Sequence, residues 1–160
     1  MQSQKNIAKP AHYPWLENFW HFGYLTTDID RALEIFAVRL GLDRINHLPG
    51  FEVQTAPGRW GCIDIAVGFA GDTMVELIRP KSGELGVFNG PTSSKEFELS
   101  LHHLAYRVPS EQEWHHCLNA VAASGFKIAK EWDRDSPIHS IYLDFKETLG
   151  HYLQYQYLPE

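Results

Sequence analysis

The chain has 160 residues, 44% of them hydrophobic and 21% charged, which is enough for one compact unit with a real core and too little for several. A formal net charge of −6 with acidic and basic side chains interspersed excludes the basic footprint of a nucleic-acid binder, and a small molecule is the expected partner. Cys62 and Cys117 form neither a disulfide framework nor a Cys-x-x-Cys site, and without a long apolar run or a secretory leader in residues 1 to 14 the expectation is a soluble, cytoplasmic protein with no membrane segment.

The first element is a strand over about 18 to 26, followed by Asp28 as N-cap of a helix. Ala32, Ile35, Phe36 and Leu40 recur at helical spacing, and Gly41 closes this helix, roughly 29 to 40. Leu48 to Gly58 is rich in turn residues, with Pro49-Gly50 and Pro57-Gly58 as breakers, and reads as a loop. Trp60 to Phe69 and Thr73 to Ile78 read as strands of a hairpin turned at Gly71-Asp72. Arg79 to Ser94 is a polar connector punctuated by Pro, Gly and Ser, long enough to serve as a lid.

The order then repeats. A strand at Leu101 to Val108 leads into the capping box Ser110-Glu-Gln-Glu113 and a helix whose apolar face is Trp114, Leu118, Val121 and Ala122, ended at Gly125. Strands follow near Phe126 to Glu131, Ile138 to Phe145 and His151 to Tyr157. The chain is thus a duplication, with module one at about 17–80, a connector at about 81–99 and module two at about 100–158. His21 aligns with His103 at an offset of 82, and Glu76 aligns with Gln154 and Asp64 with Tyr142 at an offset of 78. Polar groups at matched strand positions suggest a metal site between the halves.

Strand side chains alternate, so parity separates a helix-facing set from a cavity-facing set. Taking Ile63, Ile65 and Val67, then Val75 and Leu77, as helix-facing turns Asp64, Met74 and Glu76 to the cavity. The same reasoning places His21 and His103 there, and the repeat offset of 78 adds Tyr142 and Gln154 as the counterparts of Asp64 and Glu76, so six polar groups are expected to share one concave surface. The other histidines, His102 among them, have the wrong parity or lie outside this pattern.

The segments His21-Phe-Gly-Tyr-Leu-Thr-Thr-Asp-Ile-Asp, Gly71-Asp-Thr-Met-Val-Glu-Leu-Ile and His102-His-Leu-Ala-Tyr-Arg-Val resemble the glyoxalase/bleomycin-resistance/dioxygenase superfamily, the vicinal oxygen chelate fold, over about 17 to 158. Within it the methylmalonyl-CoA epimerase branch is the most similar in tone. The resemblance implies an α+β fold in which two paired βαβββ modules form a curved, cup-like mixed sheet with helices outside. It also implies a divalent metal held by His21, Glu76, His103 and Gln154, and a homodimer. Epimerases of this kind carry the Glu in the second module, whereas here Glu and Gln have exchanged places.

Two imidazoles, a carboxylate and a carboxamide oxygen suit Co, Ni, Mn, Fe or Zn. Such an ion polarises a carbonyl and stabilises an enolate-type intermediate, so the leading expectation is a lyase, isomerase or epimerase acting on a small carbonyl substrate. Glu76 or Asp64 is the candidate base, Asp64 being equally readable as a hairpin hydrogen-bond acceptor, and Tyr142 is a candidate donor to an oxyanion. Arg107 is a candidate fork for a substrate carboxylate or phosphate, with Trp20, Trp60 and Met74 lining the cup. An iron oxygenase of the extradiol type, built on His21, His103 and Glu76, and a metal-free binder of aromatic ligands stand as alternatives.

Overall fold

The computed structural model describes residues 13–90, 96–131 and 136–159. His12 and the connector residues Pro91 to Ser94 lie outside them. The elements run β1 (Phe19–Thr26), α1 (Ile29–Glu34), β2 (Asp43–Ala56), β3 (Arg59–Ala70), β4 (Thr73–Gly83), β5 (Leu99–Arg107), α2 (Glu111–Ser124), β6 (Ile128–Glu131), β7 (His139–Phe145), α3 (Lys146–Leu149) and β8 (His151–Tyr157). All eight strands belong to one curled mixed sheet in the order β2-β3-β4-β1-β5-β8-β7-β6. β1 pairs with β4, and β5 with β8, in parallel; the antiparallel β1–β5 pair joins the two halves at the centre.

Local chemistry sets the helix ends. The Asp28 carboxylate accepts from the Arg31 N–H at 3.0 Å, and the Ser110 hydroxyl accepts from the Glu113 N–H at 3.2 Å, each satisfying an amide with no intrahelical partner. Gly125 closes α2 in the left-handed conformation, with φ 68°. α1 is regular for less of its length than the periodicity predicts, because Ile35–Arg39 continues it as a π-helical turn.

The expected loop at 48 to 58 is instead most of β2. Its Pro49-Gly50 breaker sits inside a register shift between Leu48 and Phe51, and Gly50 takes φ 67° there. An edge strand tolerates a proline that donates no ladder bond, so the turn signal marks a bulge and not a strand end. β4 likewise runs past Ile78 to Gly83. The connector then forms a 3₁₀ turn, Gly86–Phe88.

Three buried clusters hold the layers. α1 packs Ile29, Ala32 and Phe36 on Ala66, Val75 and Leu77 of the outer sheet face. α2 packs Trp114, Cys117 and Val121 on Tyr106, Ile141, Leu143, Leu153 and Tyr155. Inside the cup, Val87 and Phe88 of the connector turn lie against Leu25, Val53, Ile63, Ile78, Tyr142 and Tyr152. No helix among the described residues is long and apolar enough to cross a membrane.

Candidate metal centre

The β1–β5 pair brings the duplicated histidines together. His21 and His103 face the cup from neighbouring strands, and their Nε2 atoms approach to 3.1 Å. Glu76 enters from β4, whose parallel register with β1 sets it beside Gly23; its Oε2 lies 3.3 Å from Nε2 of His103 and 3.7 Å from Nε2 of His21. Three potential ligand atoms thus lie within 4.8 Å of one another. Both imidazoles are buried, while the Glu76 side chain keeps 20% exposure. Glu76 is therefore the member of the cluster that solvent reaches.

Gln154 joins this face from β8, next to Ala105 of β5. Its amide nitrogen donates to the Tyr142 hydroxyl at 2.8 Å and to Ser140 Oγ at 3.1 Å. Its Oε1 is buried with no hydrogen-bond partner among the described residues. A buried carbonyl oxygen left unpaired costs on the order of 1–3 kcal/mol. Two neutral imidazoles and a carboxylate that crowd one another, with an unpaired buried carbonyl oxygen on the same face of the sheet, are the donor types a divalent cation takes, so the residues present fit such an ion.

Burial governs the electrostatics. It lowers the His21 pKa to about 4, with Glu76 acting in the opposite sense, and that of His103 to about 3. Both rings are therefore neutral at physiological pH and carry a lone pair suited to ligation. Burial and the nearby Glu76 carboxylate push the Tyr142 hydroxyl well above its ordinary range, so it remains a protonated donor.

Asp64 is not part of this cluster. On β3 it pairs with Arg79, whereas the β3 residue opposite Glu76 is Val67; alternation places Asp64 on the other face. There it accepts from the Gly50 N–H at 2.7 Å and forms ion pairs with Arg79 and Lys81. Burial pushes its carboxyl up, but these three partners outweigh burial and leave it below the usual carboxylate range. The parity assignment fails on β3 because small residues, Ala66 and Ala70, meet α1 while Ile63 and Ile65 face the cup.

Of the lining residues, Met74 is buried next to His21 in the β1–β4 register. The Trp20 ring lies 5.2 Å from that of His21, and the Arg107 guanidinium stacks over Trp20 at 5.2 Å. Trp60 is 56% exposed and seven residues along β3 from Val67, roughly 23 Å at strand spacing, so it does not line the cluster.

Sequence parity also missed His102. The β1–β5 register shifts between Gly23 and Tyr24, leaving His102 as the extra residue on β5. His102 and His103 therefore both turn into the cup, their Nδ1 atoms 2.8 Å apart. The signal available in the sequence was the doubled His-His itself, at the position where β1 has Trp20-His21 and its own register shift.

A family model described as the Glyoxalase/Bleomycin resistance protein/Dioxygenase superfamily matches residues 20–142. Among solved structures, a hypothetical protein from Bacillus halodurans is 20% identical, with 89% of this chain and 94% of that chain covered and a TM-score of 0.58. Methylmalonyl-CoA epimerase from Mycobacterium tuberculosis is 15% identical with 89% of each chain covered and a TM-score of 0.56. The epimerase from Streptomyces coelicolor, in complex with 2-nitronate-propionyl-CoA, is 16% identical with 89% and 98% covered and a TM-score of 0.57. These likenesses show the shared fold. No curated protein matches the chain.

Proposed function

Since the chain belongs to the glyoxalase/bleomycin resistance protein/dioxygenase superfamily, we propose that it is a metal-dependent isomerase, epimerase or lyase that moves a proton on the carbon next to a substrate carbonyl. The convergence of His21, Glu76 and His103 carries this reading, with the unpaired oxygen of Gln154 as fourth donor. The mixed nitrogen and oxygen set suits Co, Ni, Mn, Fe or Zn, and when bound such an ion supplies Lewis acidity toward a carbonyl oxygen.

Glu76 takes and returns the proton. It is the partly exposed member of the cluster, and Asp64 is turned away and clamped. Gln154 has no basic site, and Tyr142, held protonated, donates to developing negative charge. A single carboxylate favours proton return to the face it came from, and hence a one-base isomerase or lyase over a two-base epimerase. Met74 and Trp20 line the approach beside His21, and Arg107, exposed at the end of β5, offers its fork to a substrate carboxylate or phosphate.

The reading extends to a cytoplasmic homodimer. Cys62 and Cys117 are free thiols, and β2 exposes Ile45, Leu48 and Phe51 along an edge strand that a second copy would cover.

Elemental analysis of protein purified without chelators, followed by deuterium wash-in from D₂O into acyl-CoA thioesters, tests the proposal. Stoichiometric divalent metal and exchange that Glu76→Gln abolishes are expected; metal at trace level overturns it. A second reading has the same three side chains as its support, because two histidines and one carboxylate also form the facial triad of iron oxygenases. Anaerobic ferrous loading followed by oxygen uptake, with no deuterium exchange, selects that reading.

A further inference from the structure

His102 is buried in mid-strand with both ring nitrogens engaged. Nε2 lies 2.8 Å from the Val87 carbonyl oxygen, and Nδ1 lies 2.8 Å from Nδ1 of His103. A carbonyl oxygen only accepts, so Nε2 of His102 carries the proton. In the neutral ring Nδ1 is then the acceptor, and the proton between the two Nδ1 atoms belongs to His103. A neutral His103 protonated at Nδ1 holds its lone pair on Nε2. That is the atom 3.3 Å from Glu76 and 3.1 Å from His21.

We propose that His102 is a positioning residue that locks His103 in the Nδ1–H tautomer and aims its Nε2 lone pair at the cation site. The proposal rests on the metal-site reading above. His102 cannot turn to release this bond without breaking its own packing, since Phe88, Tyr142 and Tyr152 surround its ring with centroids 5.6, 6.1 and 5.1 Å away. The far end of the relay, Val87, belongs to the connector turn that fills the cup, so the segment joining the two modules orients a ligand of the second. His21 lacks such support: its Nδ1 is buried without a hydrogen-bond partner among the described residues. The two matched imidazoles are therefore unequal, and His103 is the pre-oriented one. Outer-sphere partners of metal-bound histidines are typically worth about 10–100-fold in metal affinity.

Nitrogen-15 spectra of the labelled, metal-free protein read the tautomers directly. Protonation of His102 at Nε2 and of His103 at Nδ1 is expected; His103 protonated at Nε2 overturns the assignment, whether or not any variant folds. Zinc affinity, measured by chelator competition, gives the second readout. His102→Phe keeps ring volume but removes the acceptor, and is expected to weaken zinc about 10–100-fold. His102→Asn restores an acceptor near the Nδ1 position and is expected to recover most of that loss. A folded His102→Phe that binds zinc as wild type does overturns the positioning role, whereas wild type that binds no divalent metal overturns the metal site and leaves the tautomer to the spectra.

Discussion

Gly23 and His103 face each other across the β1–β5 pair, and the imidazole occupies the space that a side chain at position 23 would need. A Cβ added to Gly23 would come within 1.9 Å of Cε1 of His103. Glycine is required here for room, because the ring carried by β5 lies against the β1 backbone. Gly23→Ala must therefore displace His103 or push the strands apart. The expected result is at least about tenfold weaker zinc binding, together with an overpacking cost of about 1–3 kcal/mol. Zinc titration and thermal unfolding of the variant check both, and an unchanged affinity would contradict the placement of the ring.

Asp64 is a structural clamp. Its carboxylate ties the Gly50 bulge of β2 to Arg79 and Lys81 of β4 across β3. Because both cations are partly solvated, the pair is worth less than a fully buried one. Asp64→Asn is expected to lower stability by roughly 1–3 kcal/mol and to leave zinc affinity and deuterium exchange intact. Loss of exchange with normal metal content would return Asp64 to the list of bases.

How much of this was legible beforehand depended on whether strands kept their alternation. The duplication anticipated that His21, Glu76 and His103 would converge, because their positions follow from matched repeats and from strands whose bulky residues meet the helices, and it set Gln154 on β8 beside Ala105 of β5. On β3 the rule that large apolar residues face the helix inverted the truth, since α1 lies close enough to demand Ala66 and leaves Ile63 to the cup. His102 was hidden by a one-residue register shift that no periodicity reports. Pro49-Gly50 carried a true turn signal, but tertiary pairing absorbed it as a bulge. Contacts from the connector, such as Val87 to His102, involve segments without periodicity and become visible only in the folded chain.

Gln154→Glu places a second carboxylate where an amide now donates to Tyr142 and Ser140. Buried, and on the proposal that position 154 supplies the fourth donor, it repels Glu76 when the metal is absent and adds charge to the donor set when the metal is present. The apo variant is expected to unfold at lower temperature than wild type, and the zinc-loaded variant to gain more from zinc than wild type does. Paired thermal scans with and without zinc decide the matter. A variant that gains from zinc only what wild type gains would exclude position 154 from the site.

The neutral histidines predict acid sensitivity. Burial lowers His21 to about 4 and His102 and His103 to about 3, from an ordinary value of 6.5. Below that ordinary value the unfolded chain binds three protons that the folded chain refuses, so unfolding takes up protons and stability falls with falling pH. The loss begins near the unfolded value and continues down to the folded values, a window lying largely above the acid range in which the lowered carboxyls of Asp64 and Asp144 titrate. Each ring contributes up to about 1.4 kcal/mol per pH unit, so three together approach about 4 kcal/mol per unit. Urea unfolding of metal-free protein at about pH 7 and about pH 5 should therefore differ by several kcal/mol, comparable to the whole stability of a small domain. His21→Asn, which removes one titrating ring, should flatten the slope by about a third. A stability that stays level between those two pH values would mean that the imidazoles are not held neutral inside the cup.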